Sequence, residues 1–255
     1  MIIDCNGDGR FANSFLRNLC GYFVAKQYDI KGVFKNVLEF KKLGIDFSPY
    51  QSKRKHTFNP IFLDDSIIMN YVHKKVEITT RDLSLKHIYC QTKEFSEYTV
   101  SYFDNLNNAF CKSIIEKNPF KNNYDNNDLI VHMRLDDIYE YQKIRNYQYL
   151  PGTDYFEYVL NTVRYHKGYI TSDSINDPQC QLLINKYDLK PITYDKINTI
   201  YFASTIKNIV LSAGSYSYLI GLLGFFSRKY YFNPEKLIRW CGPIFDGTNW
   251  EMVDI

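Results

Sequence analysis

Residues 131–137, VHMRLDD, carry the side chains best suited to binding an anion. They continue an apolar run typical of a buried strand, so His132 and Arg134, two positions apart, should point the same way where that strand ends. An arginine guanidinium matches phosphate oxygens in pairs, and a histidine beside it can add a hydrogen-bond donor. The segment therefore predicts a diphosphate site. An ion pair of Arg134 with Asp136 or Asp137 at the surface explains the same residues equally well.

Two other polar segments follow predicted strands. In residues 6–13, NGDGRFAN, the positions Gly9, Arg10 and Asn13 open the first helix, where glycine permits close backbone approach and free amides face a ligand. A glycine turn is also a common connection between a strand and a helix. In residues 168–173, GYITSD, Asp173 offers a carboxylate for ribose or base hydroxyls, or a plain cap for the following turn.

Residues 212–217, SAGSYS, join a predicted strand to a predicted helix. They offer three serine hydroxyls and a glycine at a helix N-terminus, which is a favourable position for a phosphate. A serine-capped helix requires one serine and leaves the others unexplained. Ser215, Tyr216 and Ser217 are therefore candidates for anion binding.

The elements that position these residues follow the pattern of α/β units, in which short apolar runs alternate with segments of helical period. The sequence predicts strands at 1–4, 31–34, 76–79, 129–132, 168–171, 208–211 and 229–232. The clearest predicted helices are 11–26, 98–116, 154–165, 178–186 and 216–226. The polar stretch 118–128 lacks periodicity and is the predicted boundary between two halves. A ligand cleft between two such halves suits this layout, because α/β sheets bind ligands beyond their strand carboxyl ends.

The composition excludes several classes of protein. Lys and Arg number 31 against 28 Asp and Glu, a bias too weak to indicate a nucleic-acid partner. The six cysteines form no CxxC pair and read as reduced core thiols of a cytoplasmic protein. The longest apolar run, 219–226, is far shorter than a membrane span, so we expect a soluble protein. The histidines and cysteines form no metal-ligand cluster, and catalysis would have to use positioning and acid–base chemistry.

Four segments, taken in chain order, resemble the fucosyltransferase superfamily that uses GDP-fucose: GDGRFAN, VHMRLDD, YITSD and NIVLSAGSYSYLIGLLGFF. In the bacterial alpha-1,2 branch a glycine-rich loop with Asn follows the first strand, H-x-R-x-G-D lies mid-chain, and an S-T-F-S-W-W-like segment begins a late helix. The resemblance implies a metal-independent, inverting glycosyltransferase of the GT-B type, an α/β fold with two facing Rossmann-type lobes and a cleft between them. We expect an N-terminal acceptor-side lobe at 1–121, a C-terminal nucleotide-sugar-binding lobe at 122–235, and a segment 236–255 packing back on the N-terminal lobe.

The resemblance also implies roles for single residues. Arg134 would bind the donor diphosphate, His132 would support the site, and Asp173 would contact the nucleoside. Ser215, Tyr216 and Ser217 would close over the phosphates, while Gly9, Arg10 and Asn13 would face the donor or acceptor from the other lobe. Asp137 is the first candidate for the base that accepts the acceptor's proton, followed by Asp136 and Glu140.

The chain departs from the family pattern at several positions. Asp136 replaces the motif glycine, Tyr218 and Leu219 stand where tryptophans are common, and Thr199 lies near a base-reading Asp of some relatives. These departures leave phosphate binding better supported than GDP. The expected donor is a nucleotide diphosphate sugar, GDP-fucose first, with no other cofactor, and the expected acceptor is a glycan. A xylosyl or rhamnosyl nucleotide, or a non-catalytic glycan- or nucleotide-binding protein, remains an alternative.

Overall fold

The computed structural model describes residues 1–54, 59–78, 80–124, 126–145, 147–237 and 250–255. The chain forms two compact units. The first contains Met1–Thr99 and Ala109–Lys117, and the second contains Val100–Asn108 and Asn118–Ile255. Each unit has a parallel sheet with helices, which confirms the predicted α/β fold class. The last segment of the first unit ends at Lys117, and the second unit resumes at Asn118, the first residue of the stretch 118–128.

The first unit contains a four-stranded parallel sheet in the order β2-β1-β4-β3. Its strands are β1 Ile2–Asp4, β2 Lys31–Val33, β3 Ile61–Phe62 and β4 Leu83–Ser84. Its helices are α1 Phe11–Tyr28, α2 Val37–Lys42, α3 Ile68–Val72, the first part of α4 Lys93–Asp104, and α5 Ala109–Lys117. Helix α1 is largely buried and ends at Asp29, which adopts a left-handed conformation that stops the helix.

Two predictions for this part of the chain are wrong. Residues 76–78 of the predicted strand 76–79 form no strand, and Thr79 lies outside the described residues. Val76 is solvent-exposed, while Leu83 in β4 is fully buried and occupies the sheet position. The single predicted helix 98–116 is two helices, because the side chain of Asn105 accepts a hydrogen bond from the Asn107 amide at 3.1 Å and forms a local turn.

The second unit contains a six-stranded sheet in which all neighbouring strands are parallel. Its strands are β5 Leu129–Met133, β6 Gly168–Ser172, β7 Lys190–Pro191, β8 Asn208–Leu211, β9 Arg228–Phe232 and β10 Trp250–Val253. Its helices are α6 Asp136–Arg145, α7 Thr153–Thr162, α8 Pro178–Tyr187, α9 Lys196–Ser204 and α10 Ser215–Leu223. Strands β5, β6, β8 and β9 lie where the apolar runs predicted them. They are buried because helices cover both faces of a parallel sheet.

The strand order of this sheet is β7-β6-β5-β8-β9-β10. Numbered from β5, it reads 3-2-1-4-5-6, the order of the Rossmann fold. The chain starts at the centre, moves outward to β7, and returns to the other side of β5 as β8. The topological switch point therefore lies between β5 and β8.

The last described residues of the chain form a strand of the second unit. Residues 238–249 lie outside the described part, and β10 runs parallel to β9 with Trp250 opposite Lys229. This strand belongs to the second unit and forms the edge of its sheet. Packing of 236–255 on the N-terminal lobe stays a prediction.

Two further predictions concern the cysteine thiols and membrane-spanning helices. Cys5, Cys20, Cys90, Cys111 and Cys180 are buried free thiols, as predicted, and Cys241 lies outside the described residues. Among the helices that the structure describes, none combines the length and the apolar character needed to cross a bilayer.

Candidate functional site

The predicted anion-binding segments of the second unit meet at the switch point between β5 and β8. His132 and Arg134 lie at the carboxyl end of β5, and residues 212–217 follow β8 directly. The Ser212 amide donates a hydrogen bond to the His132 carbonyl at 3.1 Å, which joins the two strand ends. Ligands of parallel α/β sheets bind at this position, because the connections leave the sheet in opposite directions and open a crevice.

His132 connects β5 to the first turn of α10. Its Nδ1 lies 2.6 Å from Ser217 Oγ, and its ring meets the edge of the Tyr216 ring with centroids 5.3 Å apart. Burial, and to a smaller extent the nearby Arg134, lower the pKa of His132 to about 3. The imidazole is therefore neutral at physiological pH. It holds the N-terminus of α10 in place and adds no positive charge to the site.

The N-terminus of α10 presents an open surface. Its N-cap, Gly214, has a φ of 94° and forms no side-chain cap hydrogen bond. A Cβ built on Gly214 would meet no atom within 4 Å, so the backbone is approachable at this point. The hydroxyl of Ser212 is buried and has no hydrogen-bond partner among the described residues. An anion here would find first-turn amides, the positive end of the helix dipole and an available hydroxyl.

Arg134 is held between two carboxylates. Its Nη1 lies 2.8 Å from Asp173 Oδ2, and its Nη2 forms an ion pair with Asp137. The other oxygen of Asp173 accepts a hydrogen bond from the Leu135 amide at 2.9 Å. The ion pair that competed with the phosphate hypothesis is therefore present. Both oxygens of Asp173 are engaged within the protein, although the resemblance implied a contact with the nucleoside.

The carboxylates near Arg134 differ in their surroundings. Burial raises the pKa of Asp173, while the Leu135 amide and the Arg134 guanidinium act in the opposite direction. Asp136 and Asp137 begin α6, and the Asp137 side chain is 54% exposed. Glu140, one turn further along, pairs with Lys143 at 2.8 Å on the exposed surface of α6. Among the candidate bases, Asp137 forms an ion pair with Arg134.

Tyr216 connects α10 to α9. Its hydroxyl donates a hydrogen bond to the Lys196 carbonyl at 2.7 Å, and burial raises its pKa. Thr199 is buried beside it and its hydroxyl donates to the Tyr194 carbonyl at 3.1 Å. Helix α9 begins at its N-cap, Asp195, whose side chain accepts two backbone hydrogen bonds. These contacts fix one wall of the crevice.

The glycine-loop candidates lie in the first unit. Gly9 and the exposed Arg10 precede α1, and the side-chain oxygen Oδ1 of Asn13 accepts a hydrogen bond from Gln91 Nε2 at 2.9 Å. The sequence analysis missed Arg17, whose Nη2 donates to the Asp8 carbonyl of the same loop at 2.8 Å.

Arg17 is fully buried. Its Nε donates to the Ile88 carbonyl at 2.9 Å, and its Nη1 has no partner in the described part of the chain. The sequence feature that could have identified Arg17 is a single arginine within an otherwise apolar stretch of α1.

The part of the chain that the structure describes contains no group of three or more His, Cys, Asp or Glu side chains that could hold a metal ion. The side chains and backbone groups at the switch point are instead suited to an anionic ligand.

Comparison with known proteins finds similarity to solved structures. No family model matches the chain, and no curated protein matches it. A crystal structure of POFUT1 in complex with GDP is similar at 11% identity over 87% of this chain and 93% of that chain, with a TM-score of 0.45. A further crystal form of POFUT1 with GDP gives 9% identity, 90% and 97% coverage, and a TM-score of 0.43. This likeness assigns no residue or ligand to the chain, and the functional argument rests on the geometry above.

Proposed function

We propose that this chain is an inverting glycosyltransferase that moves fucose from GDP-fucose to a hydroxyl group of a glycan acceptor. One observation carries the proposal. Arg134, the pair His132–Ser217 and the open N-terminus of α10 converge at the switch point of a 3-2-1-4-5-6 sheet. That position in this sheet is where nucleotides bind. The motif resemblance supports a GDP-sugar as the nucleotide and GT-B as the arrangement of the chain.

The unequal exposure of the two Arg134 partners supports a binding mode for the diphosphate. Asp173 is 26% exposed and also bound to the Leu135 amide, so it orients the guanidinium. Asp137 is 54% exposed and holds the other edge. A diphosphate that carries more charge than a carboxylate would replace Asp137 on Arg134. The first-turn amides of α10 and the Ser212 hydroxyl would bind the remaining oxygens.

Displacement of Asp137 from Arg134 by the diphosphate would also free a carboxylate to act as the general base. The acceptor oxygen attacks the anomeric carbon on the face opposite the diphosphate, and the bond from that carbon to the diphosphate oxygen breaks. The electron pair goes to the leaving diphosphate, where Arg134 and the α10 N-terminus stabilise the developing charge. The acceptor's proton goes to Asp137, whose carboxylate the diphosphate has released from Arg134.

A non-catalytic nucleotide- or glycan-binding protein is the second candidate, and one observation favours it. Asp137 and Glu140, two of the three proposed bases, are both engaged in ion pairs. If the diphosphate did not displace Asp137, the crevice would bind a nucleotide and transfer nothing.

The test is a thermal-shift panel with GDP, UDP and dTDP. A ligand that binds the native state alone at about 100 times its Kd stabilises it by about 2.7 kcal/mol. We expect GDP to raise the melting temperature most and Arg134→Ala to abolish the shift. The matched control is Lys186→Ala, which removes an ion pair with Glu157 at the far end of α8 and should leave the shift unchanged.

Three other outcomes have defined meanings. A larger shift with UDP or dTDP would replace GDP-fucose with another donor, such as a xylosyl or rhamnosyl nucleotide. A GDP shift without hydrolysis or transfer from any sugar nucleotide would favour the binding protein. No shift with any of the three nucleotides would contradict the proposal.

A further inference from the structure

A cavity of about 260 Å³ lies in the second unit, remote from the switch point. Lys229 and Trp250 contribute to it from the amino-terminal ends of β9 and β10, and Leu222 lies in the last turn of α10. In a parallel sheet all amino-terminal strand ends lie on one side of the sheet. The carboxyl-terminal ends, where His132 and Arg134 are found, lie on the opposite side. The cavity is therefore a separate feature of this unit.

Part of the cavity wall is aromatic, and ring contacts hold these side chains in place. The rings of Phe103 and Phe225 stack with centroids 6.4 Å apart and an interplanar angle of 15°. The Trp250 indole packs on Tyr218, with centroids 5.7 Å apart. A Cβ on Gly221 would come within 2.5 Å of Trp250 Cη2, so the helix and the indole are in close contact. Such walls favour a flat or apolar ligand.

Two charged side chains line the cavity, Lys229 and Asp104. Lys229 is 4% exposed, and no hydrogen bond or ion pair joins its ammonium to another described residue. Its register neighbours, Ile209 on β8 and Trp250 on β10, do not titrate, and α10 contributes Leu222. The charged group that faces Lys229 is Asp104 of α4. A buried ammonium without a hydrogen-bonded partner is unfavourable, so a ligand that supplies one gains binding energy.

We propose that this cavity binds a small apolar carboxylate, whose carboxylate group pairs with the Lys229 ammonium and whose hydrocarbon part packs against Phe103, Phe225 and Trp250. The size fits such a ligand, because an apolar cavity of about 150 Å³ is enough to bind benzene. A neutral apolar molecule would leave the ammonium without a hydrogen-bonded partner. The site is independent of the proposed transferase activity.

The test is titration of the full chain with benzoate at pH 7, followed by tryptophan fluorescence and calorimetry. Trp250 in the wall supplies the fluorescence signal. We expect benzoate to bind and Lys229→Met to weaken its binding at least about tenfold. Benzyl alcohol, which lacks the carboxylate, should bind the unmodified chain at least about tenfold more weakly than benzoate does. The matched control is Lys236→Met, which removes an exposed lysine paired with Asp254 at 2.7 Å and should bind benzoate like the unmodified chain.

The pH dependence gives a second measurement that needs no variant. Burial lowers the pKa of Lys229 to about 8, against the opposing effect of Asp104. Benzoate needs the protonated ammonium, so its affinity should be constant below pH 8 and fall about tenfold per unit above it, with proton uptake on binding near pH 8. Equal affinity of benzoate and benzyl alcohol, undiminished binding to Lys229→Met, an affinity independent of pH, or no binding of benzoate would each overturn the proposal.

Discussion

Arg134 has two carboxylate partners that differ in exposure, and this asymmetry distinguishes a structural role from a chemical one. Asp173 is the more buried partner and is tied to the Leu135 amide, whereas Asp137 is more than half exposed. One cation shared by two carboxylates leaves an excess negative charge that would oppose an incoming diphosphate. Removing the charge of the exchangeable partner should therefore affect binding and turnover in opposite directions.

Replacing Asp137 with Asn tests this asymmetry. The neutral amide competes less strongly for the Arg134 guanidinium, so GDP should bind equally well or several-fold more tightly. Loss of the proton acceptor should lower kcat by at least about 100-fold. Calorimetry measures the Kd for GDP, and steady-state kinetics measure kcat. The control is Glu157→Gln, which removes the carboxylate of another ion pair, that with Lys186. Unchanged kcat would show that the base is another group.

Burial of Lys229 should make the free energy of unfolding depend on pH. Its pKa is about 8 in the folded chain and ordinarily 10.5, so the unfolded chain retains a proton that the folded chain has released between these values. The penalty for burying the charge is therefore fully present below pH 8 and disappears as the pH rises towards 10.5. Lys229→Met should raise the free energy of unfolding by about 3 kcal/mol at pH 7 and by about 1 kcal/mol at pH 9.5.

Urea denaturation of the two proteins at both pH values measures this difference, and the subtraction cancels the titration of the other groups. A variant less stable than the unmodified chain at pH 7 would mean that the ammonium has a strong partner, and the argument for the cavity ligand would lose its basis.

At the scale of elements, the sequence predicted what depends on local pattern. Strands β5 and β8 appear as apolar runs because both faces are covered, and the polar segments after them mark the crevice. Strand β7 was not predicted, because its two residues are exposed and leave no apolar pattern. The hydrogen bond from Leu135 to Asp173 joins residues 38 positions apart, and like the Arg134–Asp173 ion pair it depends on β5 lying beside β6. Such a contact follows from strand order, which no local pattern contains.

The packing of α10 against β10 gives a prediction for an element. Alanine in place of a helical glycine normally stabilises a helix by about 0.5–1 kcal/mol. At Gly221 the added methyl group would lie 2.5 Å from Trp250 Cη2 and 2.8 Å from Cδ1 of the fully buried Leu211. Gly221→Ala should therefore destabilise the chain by about 1–3 kcal/mol in chemical denaturation. A stabilised variant would show that β10 and α10 pack less closely than described.

At the scale of the whole molecule, the candidate residues are divided between two parallel-sheet units. The anion-binding groups lie in the second unit, at 132–137 and 212–217, and the glycine loop with Arg10 and Asn13 lies in the first. The proposed function assigns these units different parts of the donor. Under that proposal the second unit would bind the nucleotide diphosphate, and the first-unit loop would respond to the sugar or the acceptor.

Hydrogen exchange measured by mass spectrometry can separate these two assignments in the intact chain. GDP should slow exchange of the amides at 212–217, because they begin α10 and lie where a diphosphate would accept their hydrogen bonds. Exchange at 7–13 should change little with GDP and should slow when GDP-fucose replaces it. Arg134→Ala should remove the protection at 212–217 in both cases. Protection by GDP at 7–13 without protection at 212–217 would instead place the nucleotide in the first unit, where the buried Arg17 has a guanidinium nitrogen with no partner in the described residues.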